Sequence, residues 1–403
     1  MNNLEGKNIL IVGGGLGQLP AIFSAKNLGA KVIVVDKNPD APGMKYADKC
    51  YAVDIIDEKA ILEVAVNSKI DFAFTMQSDH GVKSVAIVND NIGAKAYSYE
   101  TAKACSNKSI ARRLFDKAKV SQPNFLIANT IEECINSCNN IGFPCIIKCP
   151  DSSGSRGVTK VRSIDEIEPA FNEALQWSLS KKLIVVEEFI EGFEFGAQTF
   201  SIEGNCEVVV LHNDQLSSPP YMIPIGHSMP FHTSLNIDFD KTKEEIKKAV
   251  NALKIINGPA NVDVIYDINR KEVKIIEISA RIGATCLPEL LLFHTGVDWV
   301  RMSLLCFESK INKTDLVKKN KSVAAKILYS KKSGLLSSIS SNAPKLLSDL
   351  TLLEFNCKIG DKVSSLKKGT DRIGSALLAS EKDIISTEKD LDKIINSITF
   401  GTI

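Results

Sequence analysis

VKIIEISARIGAT, Val273 to Thr285, decides how this chain reads. Its apolar residues suit a buried strand, yet Glu277, Ser279 and Arg281 fall on alternate positions and so share one face. The preceding PANVDVIYDINRKE completes a hairpin with Asp267 to Lys271 as its turn. A register centred on Arg270 sets Ile265 opposite Ile275 and Asp263 opposite Glu277. Residues so opposed have Cβ atoms about 4.5–5.5 Å apart, and two carboxylates at that distance repel unless a cation lies between them. Acid oxygens with Ser279 beside them, and no His or Cys, suit a hard ion such as Mg²⁺ or Mn²⁺. Arg281, two residues further along the same face, is placed to meet a transferring phosphoryl group or a developing oxyanion. The competing reading is a hairpin with one solvated face, against which stands the apolar composition of VDVIY and VKIIEIS.

Working back from the hairpin, IVVEEFIEGFEFG runs from an apolar strand through Glu187, Glu188, Phe189 and Ile190, turns at Gly192 and reaches Glu194. An adenine requires a flat apolar slot with extended backbone, and a ribose requires an acid for its hydroxyls. Further upstream, Lys148 ends the strand FPCIIKCP just before SSGSRGV, a loop of Ser152, Ser153, Gly154, Ser155 and Gly157 whose small residues let backbone approach phosphate oxygens while the lysine supplies charge. The spacing is not that of a Walker A loop.

The first hundred residues alternate strand and helix signals, KNILIVGGG, a helix over Leu16 to Leu28, KVIVVD and DFAFTM, as a parallel sheet covered by helices requires. GGGLGQLPA followed by Asp36 has the outward form of a dinucleotide site. The sixth position is Gln18 or Pro20 in the two possible frames, where close helix packing needs a glycine or alanine, so an NAD site is disfavoured. Gly14 and Gly15 are instead candidate contacts for an anionic substrate. Ser78, Asp79 and His80 follow a strand at the end where such sheets bind ligands. Between these regions the sequence predicts helices over NKSIARRLFDKAKV, Ile131 to Asn139 and Asp165 to Ser180. Beyond about Asn312 the chain turns Lys- and Ser-rich, with strands KSVAAKILYS and GSALLAS, and reads as a small β-rich lobe.

The bulk properties agree. The chain has 403 residues, 49 Lys+Arg against 48 Asp+Glu, and 6% aromatic residues, which speaks against a nucleic-acid groove. No apolar run approaches the roughly 20 residues of a membrane span, and no signal sequence is evident, so a cytoplasmic protein is expected. Ten scattered cysteines read as reduced, mostly buried thiols.

Lys108 opening a helix, Lys148 on a strand, the Ser152 to Gly157 loop, VVEEFIEGFE, and paired acids with Arg281 on a hairpin occur in the order of the ATP-grasp superfamily, and this chain resembles its carboxylate–amine ligase branch over residues 5 to 300. The resemblance implies an α/β protein with a Rossmann-like domain over 1–105, an ATP-grasp domain over 106–310 with a lid subdomain at about 120–186, and a C-terminal lobe over 311–403. It implies ATP and Mg²⁺ (or Mn²⁺), with Lys108 and Lys148 on the phosphates, Ser152 to Gly157 as lid, Glu187 to Ile190 at the adenine, Glu194 at the ribose, and Asp263, Glu277 and Ser279 at the metal. Arg281 and Lys148 carry the chemistry. YMIPIGHSMP looks like a segment of the amino-acid ligases, which makes His227 a candidate substrate contact. Many relatives have Asn at position 279 and Glu or Gln at 263, which leaves the number of metal ions open; Asn261 stands where amino-acid ligases often have His. The activity implied is activation of a small carboxylate as an acyl phosphate and its transfer to an amine, releasing ADP and phosphate. The alternatives are an ATP-grasp enzyme that carboxylates or formylates a metabolite, and a non-catalytic ATP-binding subunit. Small carboxylate and amine substrates are the expected partners, with no nucleic acid and no membrane; the C-terminal lobe either closes over the acceptor pocket or forms a homodimer contact.

Overall fold

The computed structural model describes residues 3–152, 154, 156–179, 183–218, 223–308 and 311–403. The chain divides into two compact units, one of Met1–Val209, Asn236–Ile282 and Val300–Ile311, the other of Val210–Leu235, Gly283–Trp299 and Asn312–Ile403.

The first unit opens with β1 (Asn8–Val12), β2 (Lys31–Asp36), β3 (Lys49–Ala52) and β4 (Phe72–Phe74), a parallel sheet of order β3-β2-β1-β4. In β1 every residue after Asn8 is buried, as a strand covered by helices on both faces requires. The expected helix over Leu16 to Leu28 is a 3₁₀ turn, Leu16–Gln18, followed by an α-helix, Leu19–Asn27, with proline in its first turn. A second sheet contains β5 (Phe125–Ala128), β6 (Cys145–Lys148), β7 (Val158–Val161) and β8 (Ile184–Glu188), ordered β5-β8-β6-β7 and antiparallel throughout. Helices Ile131–Ile141 and Ile167–Trp177 pack on it through a core of Cys134, Cys138, Cys145, Ile147, Val161, Phe171 and Val186. The latter helix is shorter than the expected Asp165 to Ser180: Ile164–Glu166 form a 3₁₀ turn, and Ser180 lies outside the described residues. All cysteines except Cys50 and Cys357 are buried.

The chain continues through β9 (Gly192–Ile202), β10 (Asn205–Leu216), β11 (Pro224–Met229), β12 (Gly258–Asp267) and β13 (Glu272–Ser279). In the first unit β12 lies between β9 and β13. Its pairing with β9 is uniform from Gly258↔Ser201 to Asp267↔Gly192, whereas its pairing with β13 slips by one residue between Asp263 and Val264. Asp263 faces Glu277 as the sequence suggests, but Ile265 faces Lys274 rather than Ile275, because Ile276 is an extra residue in a β-bulge.

In the second unit β11 pairs with β10 and with β14 (Ser322–Tyr329). The unit adds β15 (Gly334–Ser341), β16 (Leu352–Phe355), β17 (Lys362–Val363), β18 (Arg372–Ser380) and β19 (Ile398–Thr402). β14, β18 and β16 continue the β10-β11 sheet, and β17-β15-β19 form a small separate one. A helix that the β-rich reading of this region did not include, Ile384–Asn396, is capped by Asp383 and buries Leu391 and Ile394 against Ala324, Leu328, Ala376 and Leu378. Among the described residues no helix is long and apolar enough to cross a membrane.

Candidate active site

Helix Lys108–Lys117 starts where the Asn107 side chain accepts the Ser109 and Ile110 N–H groups. One turn in, Arg112 is buried to 1% exposure. Its Nε and Nη2 donate to the two oxygens of Glu187 at 2.7 and 3.2 Å, and its Nη1 and Nη2 donate to the carbonyls of Ile275 and Ile276 at 2.9 and 3.0 Å. Those carbonyls belong to the bulge. The guanidinium thus takes up acceptors at the point where the β12 ladder is broken, in a planar fork that lysine does not offer. Lys148, also buried, lies 2.7 Å from the second oxygen of Glu187. Burial pushes the Lys148 ammonium down to about 8, with Arg112 and Lys108 adding to the effect and Glu187 opposing it. For Glu187, burial acts upward, but the charges of Arg112 and Lys148 outweigh it and hold the carboxyl at about 2. The sequence reading assigns Glu187 to the adenine; the structure turns its side chain onto Arg112 and Lys148.

Asp263 and Glu277 face each other across β12 and β13, Asp263 exposed and Glu277 partly so. Lys108 Nζ is 3.3 Å from Glu277 and donates to the Ser152 carbonyl at 2.7 Å, which ties the acid pair to the start of the glycine-containing loop. Asn261 continues this face, donating to Asp263 at 2.9 Å. Ser279 is buried, and its side chain helps lower the Asp79 carboxyl. The two acids therefore fit an ion that prefers oxygen and keeps much of its own water, as Mg²⁺ does.

Arg281 directs Nε and Nη2 to one oxygen of Asp79, at 2.9 and 2.7 Å. Burial raises the Asp79 carboxyl, but the Arg281 charge and hydrogen bonds, with help from Ser279, bring it below the ordinary carboxylate range. The pair is held by the Gln77 N–H, which donates to the Ile282 carbonyl at 3.1 Å. Ser78 lies beside it half-buried, and His80 is exposed.

In the loop after Lys148, Ser152 Oγ donates to the Arg156 carbonyl at 2.5 Å, and the Cys149 N–H donates to the Gly157 carbonyl at 3.0 Å. Gly154 and Gly157 have φ of +66° and +64°; a Cβ on Gly157 would come within 2.8 Å of Trp177 Cβ. Ser153 and Ser155 lie outside the described residues, as do Tyr221 and Met222 of the YMIPIGHSMP segment. Glu188 accepts from Asn124 and Arg270, Lys160 Nζ lies 3.3 Å over the Phe189 ring, Ile190 is buried and Glu194 is exposed on β9. At the N-terminus the Gly14 N–H donates to Asp36 at 2.8 Å, so the acid that a dinucleotide would require for its ribose is already engaged by the loop; Gly15 is exposed. His227 belongs to the second unit, where it bonds Asp214.

Sequence reasoning passed over Arg112, because a basic residue within NKSIARRLFDKAKV reads as part of a solvated helix face. It also passed over His212 and Asp214, although their alternate spacing in LHND is the same kind of signal as that of Glu277 and Ser279.

Residues 105–285 match the family model of the ATP-grasp domain. The chain is 30% identical to a phosphoribosylglycinamide synthetase from Anaerococcus prevotii of known crystal structure, with a TM-score of 0.81 over 98% of this chain and 100% of that one. The crystal structure of an L-amino acid ligase from Bacillus licheniformis superposes with a TM-score of 0.82 over 99% of each chain at 20% identity, a likeness of fold. Among curated relatives, the formate-dependent phosphoribosylglycinamide formyltransferase of Saccharolobus solfataricus is 28% identical over 56% of this chain and 55% of its own length. The chain thus spans about half of that relative, while the protein of the same name from Prochlorococcus marinus strain MIT 9515 aligns over 97% of both chains at 26% identity.

Proposed function

The chain belongs to the ATP-grasp family, and on that premise we propose that it activates formate with ATP and transfers the formyl group to the amine of a phosphorylated metabolite of the glycinamide type. In the first step a formate oxygen takes the γ-phosphoryl group and ADP leaves; in the second the amine nitrogen attacks the formyl carbon, a C–N bond forms, phosphate leaves and the nitrogen gives up a proton. The names of the relatives favour this formylating reading over the main expectation of a ligase joining a small carboxylate to an amine. Both are carboxylate activation, formate being the smallest carboxylate.

The observation that carries the reading is Lys108, which touches Glu277 and the Ser152 carbonyl together, so that acid pair and glycine-containing loop address one place. In the proposed site Lys108 and Lys148 meet the phosphates, the loop from Ser152 to Gly157 covers them, the backbone and apolar side chains of Glu188 to Ile190 hold the adenine, and Glu194 takes the ribose. Glu187 positions Lys148. Asp263 and Glu277 would hold Mg²⁺, which offsets phosphate charge when bound. Arg281, kept in place by Asp79, faces the substrate carboxylate with a preoriented charge. Shielding from water matters because an exposed acyl phosphate hydrolyses.

The test is ADP and phosphate release with Mg²⁺, ¹³C-formate and phosphoribosylglycinamide, with product followed by NMR. We expect ADP only when acid and amine are both present, a labelled N-formyl signal, and loss of both in Glu277→Gln. AMP in place of ADP, or turnover with other carboxylates but not formate, would overturn the proposal.

A further inference from the structure

We propose that His212, Asp214 and His227 form a binding site for a divalent transition-metal ion of the zinc, cobalt or iron(II) class, in the second unit and distinct from the acid pair of the first. His212 and Asp214 stand two residues apart on β10 and share a face of the sheet, and His227 on β11 is the register partner of Asp214. The three side chains therefore converge from two adjacent strands. Asp214 Oδ1 lies 2.8 Å from His212 Nδ1 and 2.7 Å from His227 Nδ1, and one ligand atom from each residue lies within 4.8 Å of the others. In a tetrahedral shell with bonds of about 2.0–2.1 Å, neighbouring ligand atoms are about 3.3 Å apart, so an ion is admitted by movements of less than about 1 Å. The imidazoles are edge to face, at 82° with centroids 5.1 Å apart, which allows both Nδ1 atoms to aim at the same carboxylate.

The donor set selects the ion. Two imidazoles and a carboxylate suit the borderline metals and not Mg²⁺, which prefers oxygen. The histidines are buried while Asp214 is partly open, so three protein ligands leave a coordination position toward solvent. On its far side β11 lies close against β14, where a Cβ at Gly226 would come within 2.5 Å of the Ala325 carbonyl.

The competing account is a hydrogen-bonded trio in which one carboxylate oxygen accepts both Nδ1–H groups. Chelator-stripped full-length protein, titrated with Co²⁺ under excess Mg²⁺ to occupy the acid pair, distinguishes the two. The metal site predicts one equivalent of Co²⁺ with the strong visible absorption of a four- or five-coordinate ion, and two strongly shifted exchangeable imidazole N–H resonances in the wild-type protein. It further predicts weakening in His227→Gln and Asp214→Asn by more than the about 10–100-fold that loss of an outer-shell partner costs. A wild-type spectrum showing only the octahedral hydrated ion without shifted imidazole protons, or Co²⁺ binding unaltered in folded His227→Gln, would overturn it.

Discussion

Glu187 and Glu277 are both strand glutamates of the first unit, and their surroundings are opposite. Glu187 is 3% exposed and saturated, with a guanidinium on both oxygens and an ammonium on one of them. Glu277 is partly exposed, has Lys108 at 3.3 Å and faces a second acid across the ladder. A saturated buried charge is framework, since removing any partner strands the rest in a low-dielectric interior. An acid pair that faces itself, with Lys108 beside one member only, keeps a repulsion that a bound cation would relieve, so stability is given up locally for binding.

The largest effect that would test this contrast is on folding. Glu187→Ala leaves Arg112 and Lys148 buried without their acid and is expected to cost about 3–5 kcal/mol in urea unfolding; a loss below about 1 kcal/mol would break the comparison. Gly157→Ala comes next, at about 1–3 kcal/mol, because its Cβ meets Trp177 and its φ is positive, whereas Gly154→Ala, with no atom within 4 Å, carries only the backbone cost of about 1 kcal/mol. Equal losses at the two glycines would show that space does not separate them.

A smaller and sharper effect is on pH dependence. Lys148 must be charged to hold a phosphate, and its pKa near 8 means that the charged form is present below that pH and lost above it. The kcat/KM for ATP should therefore fall about tenfold per pH unit above about 8, and the corresponding limb in kcat should lie higher, because bound phosphates favour the ammonium. Flat behaviour to pH 10 would remove Lys148 from the site. The smallest expected change is in the stability of Asp263→Asn, within about 0.5 kcal/mol of wild type by thermal unfolding. The same variant should lose Mg²⁺-dependent turnover; a large destabilisation would make Asp263 framework after all.

The parallel sheet, the strand ending in Lys148 and the hairpin carrying Asp263 and Glu277 were legible because each rests on local periodicity and turn chemistry. The bulge at Ile276 was not, since nothing in VKIIEIS marks an extra residue; its acceptors are met by Arg112, 163 and 164 positions away. The inward turn of the Glu187 side chain was hidden for a related reason, as IVVEEF does not say which acid points into the core. In the second unit, GHSMP follows prolines and carries glycine, both poor strand signals, so the partner of Asp214 could not be paired from sequence. The helix Ile384–Asn396 escaped because its apolar positions are spread thinly among polar ones and its burial depends in part on β14, which begins some 60 residues earlier.

Arg112 also bears on the order in which the protein assembles. Its bond to Glu187 closes a separation of 75 residues, and its bonds to Ile275 and Ile276 close more than twice that. During synthesis the guanidinium and its glutamate are both present long before the bulge carbonyls exist, so a nascent chain that stops short of β13 has the anchoring acid without the strand it anchors. Contacts of such long range carry a loop-closure cost that must be met before they form. The residue that holds the candidate site together is on this account a clasp, whose last partners are the last to be synthesised.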